Sequence, residues 1–585
     1  MARPSVGLID LRLLRRLWPF AKNHRRALAV AVGLLPLTAG FQLLPPLLIK
    51  AAIDGPIAHR TADGLLGLAG LMLLALLAQY AAQFVQNYAM HVGGQGIVHD
   101  LRVAVHGQLL TLHDRFFRRN PAGRLLTRCT NDVEGIGEMF AAGFLTLIAD
   151  LILLLGICVA LVLLDWRLAL VTFCVLPALF LVSRWFQNGL RGAYREIRER
   201  VSVLNSYLQE RISGIQVIQL FSREEHAFDE FRARSRELMD THLTSIRLDA
   251  ALFAFVDMMG HLAAALLIWW AVGPIEEGAL TFGALVAFLD YVGRFFQPIR
   301  DLSQKVATMQ AGFASAERVF SLLDETDRLP VDAPPTPLPS VAGRVTFDNV
   351  HFAYVPDEPV LRGLDLDLRP GERVALLGVT GAGKSTALRL VNRTYDVDAG
   401  SVCLDGIDVR RLDPAVLRRA VGVVLQDVFL FQGTLRENLT LGDSSVTDAA
   451  LREALTRVGA DPLLLRLGGL GGAITERGRN LSAGERQLLA FARVLTYDPA
   501  VLVLDEATSN VDTFSEERIQ RAVSTAMRGR TAIVVAHRLS TIREVDRIVV
   551  LRHGRVAEQG SHEDLMEQDG LYRALHDAYY TGTPA

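Results

Sequence analysis

The stretch Gly378–Ser385 reads GVTGAGKS and sits between the apolar run Val374 to Leu377 and the helix-forming stretch Thr386 to Val391. A G-x-x-x-x-G-K-[ST] pattern between a strand and a helix is a phosphate-binding loop. Gly378, Gly381 and Gly383 let the backbone turn its N–H groups inward on a phosphate chain, at the positive end of the following helix. Lys384 reaches the outer phosphates, and the Ser385 hydroxyl suits a magnesium ion. Thr380 and Thr386, inside and just beyond the loop, complete the nucleotide-binding set expected here. ATP and Mg2+ are the expected ligands, and what the nucleotide drives must be sought outside the loop.

The chain has 585 residues, too many for one compact core, and half of them are hydrophobic, with mean hydropathy +0.27. A membrane portion beside a soluble one explains both values. The formal net charge of −2 gives no basic field for nucleic acid. Cys129, Cys158, Cys174 and Cys403 form no C-x-x-C pair, so neither a disulfide framework nor a zinc site is expected.

Toward the N-terminus, Leu11 to Phe20 mixes Leu, Trp and Phe with Arg12, Arg15 and Arg16, which suits a helix lying in the membrane interface. The first long apolar run starts only near Ala27, so the N-terminus does not read as a cleaved signal peptide. Apolar runs at Ala27 to Ile49, Leu65 to Phe84, Met139 to Leu164, Leu168 to Val182, Ala250 to Val272 and Leu280 to Phe296 predict a six-span all-α domain. The two long excursions, Tyr88 to Glu138 and Ser183 to Asp249, are rich in arginine and predicted to be cytoplasmic, leaving both termini inside. The proline-rich Leu329 to Pro339, LPVDAPPTPLP, reads as an extended linker. The expected division is an interfacial helix (1–26), a membrane domain (27–325), a linker (326–341) and an α/β nucleotide domain (342–585). The absence of an internal repeat points to half of a two-fold assembly.

Further stations follow the phosphate loop. Val501 to Glu506, VLVLDE, is an apolar strand ending in two acids: Asp505 can hold magnesium through water, and Glu506 can polarise an attacking water. Thr531 to Val535 leads to His537, which can contact the γ-phosphate. With these residues the chain resembles the half-transporters of the ABC exporter family along nearly its whole length. The resemblance implies that Gln426 in VVLQDVFLF links the magnesium site to the membrane domain, and that Tyr354 in FAYVPD stacks on adenine. It further implies that Ser509 to Asp512 form the D-loop, that His537 is the switch histidine, and that Glu476 in TERG is the acid of the exporter-specific X-loop.

The signature departs from the family's LSGGQ and reads LSAGE from Leu481 to Glu485. Ser482 and Gly484 are kept, and the resemblance implies that they cap ATP bound by the opposite subunit. Ala483 adds a methyl group, and Glu485 places a negative charge near phosphates. Two assemblies remain open: a homodimer with equal sites, and a heterodimer, slightly favoured, in which LSAGE faces a weaker partner site. Turns near Asn120 to Gly123 and Ser213 to Ile215 are expected to be short coupling helices resting on nucleotide domains.

Asp150, Asp257, His261 and Asp290 lie within expected spans, where ionisable groups are costly. Asp257 and His261 share one helix face and could meet a cationic substrate or a proton, form a plain intramembrane pair, or lie near water at a span boundary. The expected function is ATP-driven export or flipping of an amphipathic or hydrophobic substrate (drug, lipid or peptide) across the cytoplasmic membrane, by half of a dimer. The alternative is an ATP-gated channel or regulatory membrane ATPase that does not pump.

Overall fold

The computed structural model describes residues 10–330, 334–338, 340–505, 513–536 and 539–578. They form two compact units, Met1–Thr111 with Asn120–Glu325, and Leu112–Arg119 with Thr326–Ala585.

The first unit is helical. Asp10 caps its first helix, Leu11–Asn23, accepting the Arg12 N–H at 2.9 Å. Among the described residues, four helical stretches are long and apolar enough to cross a membrane: Arg25–Ile57, Leu65–Thr111, Ala122–Leu164 and Glu224–Glu276. The expected sixth crossing, from its third residue on, lies in the helix Phe282–Leu323, which Thr281 caps. The expected fourth bends at Cys174 and Val175, which keep helical backbone angles between the helices Trp166–Phe173 and Leu176–Ser213. Pro177, in the first turn of the second, has no N–H to bond the carbonyl one turn back. Leu66, Leu163 and Trp269 stand 87%, 81% and 76% exposed, outward-facing apolar groups that suit hydrocarbon and not water.

Several polar contacts join these helices. Thr38 donates to the Gln86 side-chain carbonyl at 2.8 Å, both buried. Buried Asp132 takes two hydrogen bonds from Arg318, at 2.6 and 3.0 Å. Asp150 is ion-paired with Lys305, and Asp290 with Arg294 at 3.1 Å. Asp257 and His261 lie on an exposed face. The intramembrane acids Asp150 and Asp290 thus have basic partners four residues or a helix away, as low dielectric demands.

The second unit is built on two sheets. Strands β1 (Val345–Ala353), β2 (Pro359–Leu368), β4 (Ala399–Leu404) and β5 (Ile407–Asp408) form an antiparallel sheet in the order β2-β1-β4-β5. Strands β3 (Arg373–Leu377), β6 (Val421–Val424), β9 (Val501–Asp505), β10 (Thr531–Val535), β11 (Arg547–Arg552) and β12 (Arg555–Gly560) form the other, in the order β12-β11-β3-β10-β9-β6. All are parallel except β12. A two-residue ribbon, β7 (Gly433–Thr434) with β8 (Ala473–Ile474), stands apart. The central parallel strands read as near-continuous Val, Leu, Ile and Ala because both faces are covered. Ala375, Leu502, Leu504, Ala532 and Val534 point into one core with the helices Asp448–Arg457 and Ala483–Leu495. Val374, Leu376, Val501, Val503, Ile533 and Val535 point into a second core shared with the antiparallel sheet.

Leu112–Arg119 belongs to this second unit by its contacts, although the membrane domain expected from sequence includes it. The short helix Asp114–Arg119 lies where Asp114 accepts a hydrogen bond from Tyr395 at 2.7 Å, and His113 contacts the Thr394 carbonyl. At the first expected turn, Asn120 to Gly123, Pro121 caps the short helix Ala122–Thr127, which follows Asp114–Arg119. At the second expected turn, a break at Gly214 leads into the short helix Ile215–Leu220, none of whose residues is buried.

Candidate functional site

The parallel register brings the expected stations to one edge. Val535 pairs with Leu376 on one side and with Asp505 on the other, while Val424 pairs with Leu504. The carboxyl ends of β3, β10, β9 and β6 therefore lie side by side, the usual ligand edge of an open α/β sheet. The phosphate loop leaves β3, Asp505 ends β9, and Gln426 lies exposed just past β6. Glu506, Ser509 to Asp512 and His537 fall outside the described residues, although the ends of β9 and β10 that lead to them are in place.

The loop's glycines are required by shape. Gly378 has φ +144°, and a Cβ there would lie 2.3 Å from the Leu551 carbonyl oxygen on β11. Gly383, with φ +102°, caps the helix Lys384–Val391, and its Cβ would lie 2.6 Å from Leu361. Thr380 and Gly381 form the exposed crest. The Lys384 ammonium is buried and donates to the loop's own carbonyls, Gly378 at 2.7 Å and Val379 at 3.1 Å. Burial holds its pKa below the usual lysine value, against the opposing pull of the Asp505 charge. Ser385 donates to the Asp505 carboxylate at 3.1 Å, joining the two ends of the expected metal site across 120 residues of sequence. A hydroxyl and a carboxylate of this kind suit a hard divalent cation such as Mg2+, so the residues present fit the ion.

On the other side of the loop, Tyr354 and Thr386 share a hydrogen bond between their hydroxyls at 3.2 Å. Arg389 donates to the same tyrosine at 3.3 Å, and the Arg118 guanidinium lies 5.9 Å from the ring centroid. Phe352 and Tyr395 meet Tyr354 edge-on, at 4.9 and 5.3 Å between centroids. Sequence reading found Tyr354 but not Arg389, Arg118 or Tyr395. Arg389 alone had a local signal, lying one helical turn beyond Thr386.

Ser482 and Gly484 form a separate feature and share no described hydrogen bond with Lys384, Ser385 or Asp505. Ser482 caps the helix Ala483–Leu495: its Oγ accepts the Glu485 N–H at 3.2 Å, and the Glu485 carboxylate accepts the Ser482 N–H at 2.8 Å. This capping box follows the local pattern S-x-x-E, which the reading of Glu485 as a charge alone does not include. The other Glu485 oxygen accepts a hydrogen bond from Arg466 at 2.8 Å. Burial raises the Glu485 pKa, but the Ser482 N–H and Arg466 together outweigh it and hold the carboxyl below its ordinary value. Glu476 lies exposed in the turn Glu476–Gly478 just before this helix.

Two family models match, an ABC transporter transmembrane region over residues 28–299 and an ABC transporter domain over 361–509. The ABC transporter ATP-binding protein YknV of Bacillus subtilis is 35% identical over 97% of this chain and 94% of its own. The chain belongs to the ABC transporter family. An ATP-dependent lipid A-core flippase of Syntrophus aciditrophicus is 33% identical to this ABC transporter, over 99% of the chain and 96% of the flippase. The structure of a bacterial Atm1-family ABC exporter with ATP bound matches it with TM-score 0.76 at 28% identity, covering 95% of this chain and 98% of that one. This ABC transporter is an exporter-type half-transporter, a helical membrane domain followed by an α/β nucleotide-binding domain, and it couples ATP hydrolysis to transport.

Proposed function

We propose that this ABC exporter moves an amphipathic or hydrophobic substrate across the cytoplasmic membrane by alternating access, with its nucleotide domain (342–585) in the cytoplasm. The flippase relative and a probable multidrug resistance ABC transporter of Bacillus subtilis, YheH, 36% identical over 87% of this chain, support that substrate class. The arginine-rich excursions support the orientation. The observation that carries the reading is Ser385 Oγ at 3.1 Å from Asp505, beside the buried Lys384, at the ligand edge of the sheet.

In this reading Lys384 and the loop amides would grip phosphate, while Ser385, Asp505 and Gln426 would hold Mg2+. Tyr354 takes the adenine. Glu506 orients the attacking water, and His537 contacts the γ-phosphate. Bound magnesium would neutralise charge on the phosphates. Ser482 and Gly484 act across the dimer, on nucleotide held by a second half-transporter. We favour a different chain as that partner, and full substrate-stimulated hydrolysis by this chain purified alone would overturn that choice. The test of function is proteoliposomes loaded with a fluorescent lipid or dye. ATP-dependent flipping or accumulation against a gradient is expected, whereas passive leak that ATP merely gates would mean a channel.

A further inference from the structure

An acid at the end of the signature, on a surface meant to meet phosphates, is electrostatically adverse, because a carboxylate repels the anion that the helix N-terminus attracts. The structure shows how this chain avoids the conflict. One Glu485 oxygen is turned back onto the Ser482 N–H at 2.8 Å, and the other is held by Arg466, the last residue of the helix Asp461–Arg466, at 2.8 Å. Glu485 is 21% exposed and Arg466 49%, so the carboxylate is the sheltered member and the guanidinium remains partly open to an approaching anion. The backbone of the first helical turn is kept in the capped form that leaves Ser482 exposed.

We infer that Arg466 is the positioning residue that makes the acidic LSAGE signature compatible with a phosphate, by neutralising Glu485 and fixing it in the capping box. The inference rests on the reading that this segment caps nucleotide held by the second subunit. Arg466 acts through Glu485, so removing the acid should remove the need for the base. A purely structural arginine would show no such relation. Glu485→Gln alone keeps an oxygen for the Ser482 N–H and carries no charge to be neutralised.

The test is MgATP hydrolysis by the full-length chain in membrane vesicles, assembled with its partner where it needs one. Arg466→Ala is expected to raise the KM for ATP about two- to fivefold with kcat within about twofold, the size of one uncompensated charge at a partly exposed site. Arg466→Lys should recover most of the loss, and Arg466→Ala/Glu485→Gln should return to the Glu485→Gln value. The idea is overturned if Arg466→Ala matches wild type, or if the double variant is as impaired as Arg466→Ala. Hydrogen exchange of the 481–486 peptide in the full chain gives a second answer without turnover: Arg466→Ala should accelerate exchange several-fold, and an unchanged rate would count against the pair. A wild-type chain that hydrolyses no ATP in either assembly would refute the proposed function, while the exchange measurement still decides on Arg466.

Discussion

Replacing Asp114 by Ala should release the segment Leu112–Arg119 from the nucleotide-binding unit. Its carboxylate accepts the Tyr395 hydroxyl at 2.7 Å and Arg118 Nε at 2.8 Å. A hydrogen bond to a charged group contributes about 1.5–3 kcal/mol, but the Asp114 side chain is 42% exposed and water can replace part of it. The Arg118 pair is an i,i+4 surface pair of about 0.3–0.5 kcal/mol. The net loss should be about 1–2 kcal/mol, most of it through Tyr395, which is only 5% exposed and would be left with a buried hydroxyl. An opening free energy lower by that amount speeds local hydrogen exchange about five- to thirtyfold. The assay is hydrogen exchange of the 112–119 peptide in the full-length chain, paired with basal and substrate-stimulated ATP hydrolysis. Faster exchange should accompany weaker stimulation at nearly normal basal turnover. Tyr395→Phe should cost about 1 kcal/mol by itself and almost nothing more in the Asp114→Ala background. Burial raises the Asp114 pKa, but Tyr395 and Arg118 outweigh it and hold the carboxyl below its ordinary 3.8. The latch is therefore fully present above the unfolded value and lost only as pH falls through the lower folded one, so neutral pH changes should not move it. Exchange within twofold of wild type in Asp114→Ala, or fully additive losses, would refute the reasoning.

Three further outcomes are expected. Gly378→Ala should lower the stability of the nucleotide-binding unit by about 2–4 kcal/mol and abolish ATP binding, as read by thermal unfolding and a fluorescent nucleotide, because its Cβ meets the Leu551 carbonyl at 2.3 Å. Glu506→Gln should cut turnover about a hundredfold or more and trap an ATP-bound closed dimer, seen by crosslinking between nucleotide domains; undiminished turnover would remove Glu506 from its proposed role. Ser385→Ala should shift the Mg2+ dependence of hydrolysis to about tenfold higher concentration, with little change in thermal unfolding, since among the described residues its hydroxyl hydrogen-bonds to the half-buried Asp505.

Much of the architecture is legible locally. Glycine positions in GVTGAGKS follow from backbone conformations that a side chain cannot take, and the apolar strands before Gly378 and through Asp505 follow from burial on both faces. Hydropathy places the fourth crossing but does not register its bend, because it takes no account of the N–H that Pro177 lacks. The S-x-x-E capping box is likewise local, because Glu485 is a hydrogen-bond acceptor three residues from Ser482 as well as a charge.

What the sequence by itself determined was the chemistry available: a phosphate loop, an acid-ended strand and helices that suit hydrocarbon. Only the tertiary structure decided which groups meet. Asp114 and Tyr395 are 281 residues apart, Tyr354 and Thr386 are 32 apart, and Arg466 and Glu485 are 19 apart, beyond any helical or strand period. A local period fixes the face on which a side chain stands, whereas its partner depends on strand register and on the packing of distant elements. For that reason GVTGAGKS could be recognised from eight letters, while the neutralisation of LSAGE by Arg466 could not.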